Sequence, residues 1–168
     1  MKKEELLMTA TVGNPTYYAT YESPFGPITL QSDGKFLTAL NFGLHDQDNL
    51  GLPLLDIFIW TRQELDEYFS GARKTFSVPL KTIGTPFQKQ VWDALLEIPY
   101  GETRSYEDMA IQIGNPKACR AIGMANNRNK VGIIIPCHRV IGKNGSLVGY
   151  AGGLDKKIGL LEMEGKFL

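Results

Sequence analysis

The chain has 168 residues, 43% of them hydrophobic and 21% charged, with a formal net charge of zero. That is enough to bury a real core in one ordinary domain or two small ones, in the compositional range of soluble globular proteins. The longest apolar runs, such as Ile133–Ile135, are far too short for a membrane span, and Met1–Leu6 carries two lysines with no apolar stretch behind them, so no membrane and no secretory signal are expected and the default location is cytoplasmic.

Tyr17–Tyr21 is rich in strand formers, Ser23–Pro27 reads as a turn, Ile28–Gln31 as a second strand, Ser32–Gly34 as a second turn and Phe36–Phe42 as a third strand. His45–Pro53 is polar and glycine-containing, a loop. Leu54–Phe69 then places Leu54, Ile57, Phe58, Leu65, Tyr68 and Phe69 at helical spacing, and Gly71 follows as a stop. Thr75–Leu80 reads as a further edge strand.

The character of the chain changes at Gly84-Thr85-Pro86. Thr85 is a good N-cap and Pro86 suits the first helical position. Phe87, Val91, Trp92, Leu95 and Leu96 form an apolar stripe that Pro99 ends. Ser105, with Asp108 three residues on, predicts a capped helix carrying Tyr106, Met109, Ala110 and Ile113, closed by Gly114. Asn115 caps the next helix, with Pro116 at its first position. Two short helices split by Gly114-Asn115 resemble a helix-turn-helix. The second is small-sided (Ala118, Cys119, Ala121, Gly123, Ala125), which suits either close helix packing or close approach to a nucleic-acid groove. Val131–Ile135 reads as a buried strand ending at Pro136-Cys137-His138-Arg139. Gly142–Gly145 is a hairpin-like turn, Gly149–Gly153 a flexible loop, and Leu154–Glu164 a last helix before Gly165.

Charge is unevenly spread. Residues 1–100 hold 8 Lys/Arg against 12 Asp/Glu, and residues 101–168 hold 10 against 6. Asn115–Gly145 contains Lys117, Arg120, Arg128, Lys130, Arg139 and Lys143 and no carboxylate, the footprint of an anion-binding face or a chance cluster on a solvated one.

Two cysteines, Cys119 and Cys137, make no disulfide framework and are expected as free thiols. They and the histidines, His45 and His138, lack metal-ligand spacing, so no metal is expected. Cys137 ends an apolar run and is followed by His138 and Arg139. A basic neighbourhood would lower its pKa, and His138 could take its proton. An imidazole in that role wants an orienting carboxylate, for which Glu164, Glu162 and Asp155 are candidates. A buried, inert thiol is the alternative. Tyr106 reads either as core or as a proton donor, and Arg120 either as a solvated helix residue or as a side chain long enough to enter a duplex. From the residues alone the reaction class stays open between hydrolysis, binding and transfer.

The stretches TPFQKQVWDALLEIPYGETRSY, GNPKACRAIGMANNRN, IIPCHRVIG, GSLVGYAGGLDKK and LLEMEG, spanning Thr85–Gly165, resemble the O6-alkylguanine-DNA alkyltransferases, also called methylated-DNA–protein-cysteine methyltransferases. PCHRV followed by GYAGGL is highly specific. The resemblance implies an α+β protein: residues 1–83 as a small sheet-plus-helix domain, RNase H-like, and residues 84–168 as a mainly helical, winged-helix-like domain. It implies a monomeric DNA-repair protein that takes the alkyl group from O6-alkylguanine, with O4-alkylthymine as a further substrate, once per molecule and with no cofactor. Alkylated double-stranded DNA would dock by its minor groove on the helix carrying Ala118, Cys119, Arg120 and Gly123. Arg120 would fill the gap left by a flipped guanosine. Cys137 would attack, His138 would deprotonate it through a water, and Glu164 would orient His138. Tyr106 would rotate the phosphate and donate to guanine N3, and Asn129 would brace the cysteine turn. Backbone groups of Cys137 and Val148 would read the guanine amine, and Tyr150 and Ala151 would lie near O6. The chain departs from relatives at Gly132, where a bulkier residue lines the alkyl pocket, at Gly159, where Trp is frequent, and at Cys119, where Ala is frequent. Competing readings are a damage binder without transfer, a helix-turn-helix transcription factor, and a cysteine hydrolase using Cys137, His138 and Glu164.

Overall fold

The computed structural model describes residues 15–44 and 55–167. The expected loop at His45–Pro53, the helical start at Leu54 and the residues Met1–Leu6 lie outside them. The architecture is α+β: a three-stranded antiparallel sheet with one helix, followed by a helical C-terminal part.

Strands β1 (Tyr17–Ser23), β2 (Gly26–Ser32) and β3 (Leu37–Phe42) lie in chain order. The first turn is tighter than Ser23–Pro27, because Ser23 pairs directly with Gly26 and only Pro24-Phe25 connect the strands. Gly26 sits at φ +108, and the Ser23 hydroxyl donates to its carbonyl at 2.6 Å. Ala19, Tyr21, Ile28, Leu30 and Leu40 are buried beside Ile57, Phe58, Leu65 and Tyr68 of α1 (Asp56–Phe69). Each fully buried Leu or Ile contributes about 1.5–3 kcal/mol.

Thr75–Leu80 is not a strand. Pro79 has no N–H to give, and the amides of Ser77 and Val78 donate to the buried Glu64 carboxylate instead of to a neighbouring strand. What remains is one bridge, Leu37 with Leu80, made through the Pro79 carbonyl and the Lys81 amide.

Helix α2 (Pro86–Leu96) starts with the full capping box of Thr85 and Gln88, and α3 (Tyr106–Gln112) with that of Ser105 and Asp108. Gly114, at φ +80, then closes α3 in a Schellman motif: the Asn115 amide donates to the Ala110 carbonyl and the Gly114 amide to that of Ile111. The Asn115 N–H is spent on that closure. The Asn115 carbonyl accepts from the Ala118 amide in a separate turn over residues 115–118, so the helix does not start at Asn115; α4 runs from Cys119 to Asn127 with an uncapped start at Ala118. A two-residue parallel pair joins β4 (Arg104–Ser105) to β5 (Val140–Ile141). The Gly142–Gly145 turn forms, closed by Gly142 N–H to the Ser146 carbonyl, without a returning strand. Helix α5 (Leu154–Lys166) passes through Gly165 rather than stopping before it.

Val131–Ile135 is buried as expected but is not a strand. It folds into successive tight turns in which the Ile134 amide donates to Gly132, Ile135 to Val131 and Cys137 to Ile135, with Ile133 at φ +67. A β-branched residue rarely takes that conformation. Only Val131 pairs, with Leu40 of β3: the Leu40 amide donates to the Lys130 carbonyl and the Gly132 amide to that of Leu40.

Candidate active site

Asn129 sets the local geometry. Its side-chain oxygen accepts from the Val131 amide at 3.0 Å and its side-chain nitrogen donates to the Ile135 carbonyl at 2.9 Å, closing the six-residue turn from both ends. Pro136 then feeds a single 3₁₀ turn, Cys137–Arg139, which holds all three side chains inside. Cys137 lines a cleft with Gly132 below it, Leu40, Asn41 and Phe42 of β3 on one wall, and Tyr150, Ala151 and Gly152 on the other. A Cβ on Gly132 would sit 3.3 Å from the Leu40 carbonyl oxygen and 3.7 Å from the Tyr150 hydroxyl, so its absence widens the cleft at that point.

Behind Cys137 lies a buried polar cluster centred on Glu164. Its Oε1 accepts from His138 Nε2 at 2.8 Å, from the Tyr68 hydroxyl at 2.7 Å and from Arg139 Nη2 at 2.9 Å. Its Oε2 accepts from Arg139 Nε at 3.0 Å and the Gly101 amide at 3.4 Å. Burial pushes the Glu164 carboxyl up, but the hydrogen bonds and charges of His138 and Arg139 outweigh it and hold it far below the usual carboxylate range. Burial pushes His138 down despite Glu164, so its imidazole is neutral at neutral pH. With Nε2 directed at Glu164, His138 Nδ1 is buried without a hydrogen-bond partner among the described residues and is the nitrogen left to accept a proton.

The thiol itself differs from expectation. Burial pushes Cys137 up, only partly offset by Asn129 and by the charge of Lys157. Arg139 does not lower it, because that guanidinium is 6% exposed and spent on Glu164 and on the Ile98 carbonyl. Burial thus disfavours the charged form of both the Cys137 thiol and the His138 imidazole.

The remaining predicted residues surround this centre. Tyr106 is half-buried, and its hydroxyl donates to the Val148 carbonyl at 3.4 Å, joining α3 to the glycine-rich loop. Val148 and Ala151 are exposed, and Ala151 lines the cleft. Tyr150 packs edge-on against Phe42. On α4, Arg120 is exposed and makes no hydrogen bond or ion pair among the described residues. Cys119 is partly buried, and a Cβ on Gly123 would meet the Tyr106 ring at 3.8 Å. Ala118 is 7% exposed, so its small side chain serves helix packing and not a groove-facing surface. Lys117, Arg120, Arg128, Lys130 and Lys143 of the acid-free stretch are exposed; Arg139 is not among them.

Two residues escaped the sequence reading. Lys157 is fully buried and donates to the carbonyls of Val140 (2.6 Å), Val148 (3.1 Å) and Gly149 (3.2 Å), anchoring the glycine-rich loop to the segment after Cys137. Its place one face with Leu160 and Glu164 on α5 was the available signal. Tyr68 carried none, since its acceptor lies 96 residues away. At Gly159, where Trp is frequent in relatives, a Cβ would fall 2.5 Å from the Phe25 ring: the β1–β2 turn fills that space. Among the described residues no group of three or more His, Cys, Asp or Glu side chains could hold a metal, and no helix is long and apolar enough to cross a membrane.

Residues 16–82 match the ribonuclease-like domain of 6-O-methylguanine DNA methyltransferase, and residues 86–166 match its DNA-binding domain. A methylated-DNA–protein-cysteine methyltransferase from Methanosarcina acetivorans is 52% identical over 154 residues, covering 89% of this chain and 98% of that protein. The constitutive one of Bacillus subtilis is 46% identical over 156 residues, covering 88% and 94%. The crystal structure of Mycobacterium tuberculosis OGT in complex with DNA superposes with a TM-score of 0.82 at 47% identity, over 90% of this chain and 94% of that one. With identity of that extent running through both halves and a fold in common, the chain belongs to the 6-O-methylguanine DNA methyltransferase family.

Proposed function

We propose that this chain repairs DNA as a methylated-DNA–protein-cysteine methyltransferase, with Cys137 as the acceptor. The observation that carries the reading is that Cys137 lines a cleft while the next residue, His138, is buried and held by Glu164. The thiol proton passes through a water to His138 as Sγ attacks the alkyl carbon in line. The S–C bond forms, the C–O6 bond breaks, and guanine leaves with the electron pair. Tyr106 donates toward N3 of the leaving base. Burial helps here: it favours the neutral thiol, which becomes a nucleophile only when the imidazole takes its proton. A thioether has no easy hydrolytic exit, so each molecule acts once and needs no cofactor. O6-alkylguanine is the main substrate, and O4-alkylthymine a further one.

Access to a base requires extrusion from the duplex. The exposed face of α4 serves as the docking surface in the minor groove of alkylated DNA, with Arg120 filling the vacated space and Cys119 and Gly123 beside it. Lys117, Arg128 and Lys130 supply phosphate contacts. Backbone groups at Cys137 and Val148 read the guanine amine, while Tyr150 and Ala151 flank O6. Asn129 holds the turn. The working unit is a cytoplasmic monomer whose two domains divide at residues 83 and 84.

Incubation with duplex DNA containing O6-methylguanine, followed by peptide mapping, tests the core of this. One methyl group on Cys137 per molecule is expected, and Cys137→Ser should bind DNA without transfer. An unmodified Cys137 with the lesion intact refutes it.

A further inference from the structure

Glu164 Oε1 is oversubscribed. A carboxylate oxygen has about two lone-pair directions, yet this one takes donors from His138, Arg139 and Tyr68, all within 2.9 Å. The first two come from the 3₁₀ turn of the cysteine itself. Tyr68 comes from α1 and is the donor that the described residues of the N-terminal half supply to the cluster.

We propose that Tyr68 is a positioning residue for alkyl transfer: its hydroxyl, reaching Glu164 Oε1 from α1, limits how strongly Glu164 holds His138 and so sets the basicity of the imidazole that takes the thiol proton. This rests on the His138–Glu164 reading above.

Tyr68 is suited to that work. Its side chain is fully buried and its ring is fixed by Phe69, Phe76 and Tyr100 at centroid separations of 5.1, 5.3 and 6.0 Å. Burial and the neighbouring Glu164 charge push its ionisation well above the ordinary tyrosine value, so the hydroxyl always donates. Donors on one oxygen compete. Each proton directed at Oε1 withdraws electron density from the bond to His138, and removing one strengthens the others. The other groups facing the carboxylate are Arg139 from the 3₁₀ turn and, from the α2–β4 connection, the Gly101 amide and Tyr100; Tyr68→Phe deletes none of them. Lys157 of α5 and Tyr150 of the glycine-rich loop act through their fields only. The N-terminal half is thereby part of the acid–base apparatus and not only a support for it.

The test is single-turnover alkyl transfer by the full chain on O6-methylguanine duplex, measured across pH. Tyr68→Phe keeps the ring and deletes the hydroxyl. His138 should bind its proton more readily, moving the acid limb of the rate upward by about half a pH unit or more, a roughly threefold loss of rate on that limb, with DNA affinity unchanged. Phe76→Leu, which loosens the same packing without touching a donor, should leave the limb in place. Site-specific 3-fluorotyrosine at position 68, a stronger donor of nearly the same size, should move the limb downward and covers the case in which Tyr68→Phe does not fold. Coincident limbs in wild type and every folded Tyr68 variant overturn the inference, as does an equal upward shift in Phe76→Leu. If the wild type itself transfers no methyl group, it is the underlying reading that has failed.

Discussion

Replacing Glu164 by Gln keeps the shape of the side chain and removes its charge. Arg139, 6% exposed and bound to both carboxylate oxygens, is then left as a buried cation without a counter-ion. Breaking a buried pair in this way costs about 3–5 kcal/mol. The amide NH2 of Gln must in addition face a donor, because Tyr68, His138, Arg139 and Gly101 between them supply donors to both oxygens. Against a total stability of about 5–15 kcal/mol this is a large fraction. Urea unfolding followed by circular dichroism at pH 7 reads it directly: with a slope of about 2 kcal/mol per molar, the midpoint should fall by about 2 M. The pH dependence gives a second check. The folded carboxyl is depressed below its ordinary value of 4.5, so its contribution is complete above that pH and drains away as pH falls through the folded value. The Gln variant has no such contribution to lose, and the gap between the two proteins should close below pH 4.5. A midpoint drop under about 0.5 M, or a gap that stays constant from neutral pH into acid, refutes the reasoning.

Two further outcomes are expected. Gly159→Ala drives a methyl group to within 2.5 Å of the Phe25 ring and should cost about 1–3 kcal/mol by thermal melting; much of that loss should disappear in the Phe25→Ala background, and equal losses in both backgrounds count against the contact. Lys157→Met removes the donor to three carbonyls and a positive charge that favours the Cys137 thiolate, so the pH at which Cys137 reacts with iodoacetamide should rise, and an unchanged profile contradicts the assignment.

What could be read from the sequence was what local chemistry decides. The capping boxes at Thr85 and Ser105, the glycine closure at Gly114 and the alternation in β1 each follow from residues within one turn or strand. Thiol chemistry asked for a carboxylate to orient His138 and left Glu164, Glu162 and Asp155 open; of these it is Glu164 that meets His138 Nε2. The misreadings share one cause, a backbone donor or a charge claimed by something distant. Ser77 and Val78 look like a strand until Glu64 takes their amides. Asn115 looks like a cap until a separate turn, closed by the Ala118 amide on its carbonyl, moves the helix start to Cys119. Val131–Ile135 has strand composition, yet Asn129 folds it into turns. Arg139 looks like part of a basic face until Glu164 draws it inside.

The pairing of Leu40 with Lys130 and Gly132 bears on how the two halves can be handled apart. It occupies the outer edge of β3, and without it the Leu40 amide and carbonyl would stand open beside a largely apolar strand. Open strand edges of that kind recruit other strands. A fragment ending at residue 83 would keep the Leu80 bridge but not the Val131 one, and would present a sticky half-edge in place of a finished sheet. The C-terminal half thus guards the sheet of the N-terminal half against self-association, and the turns leading to the nucleophile double as the seal.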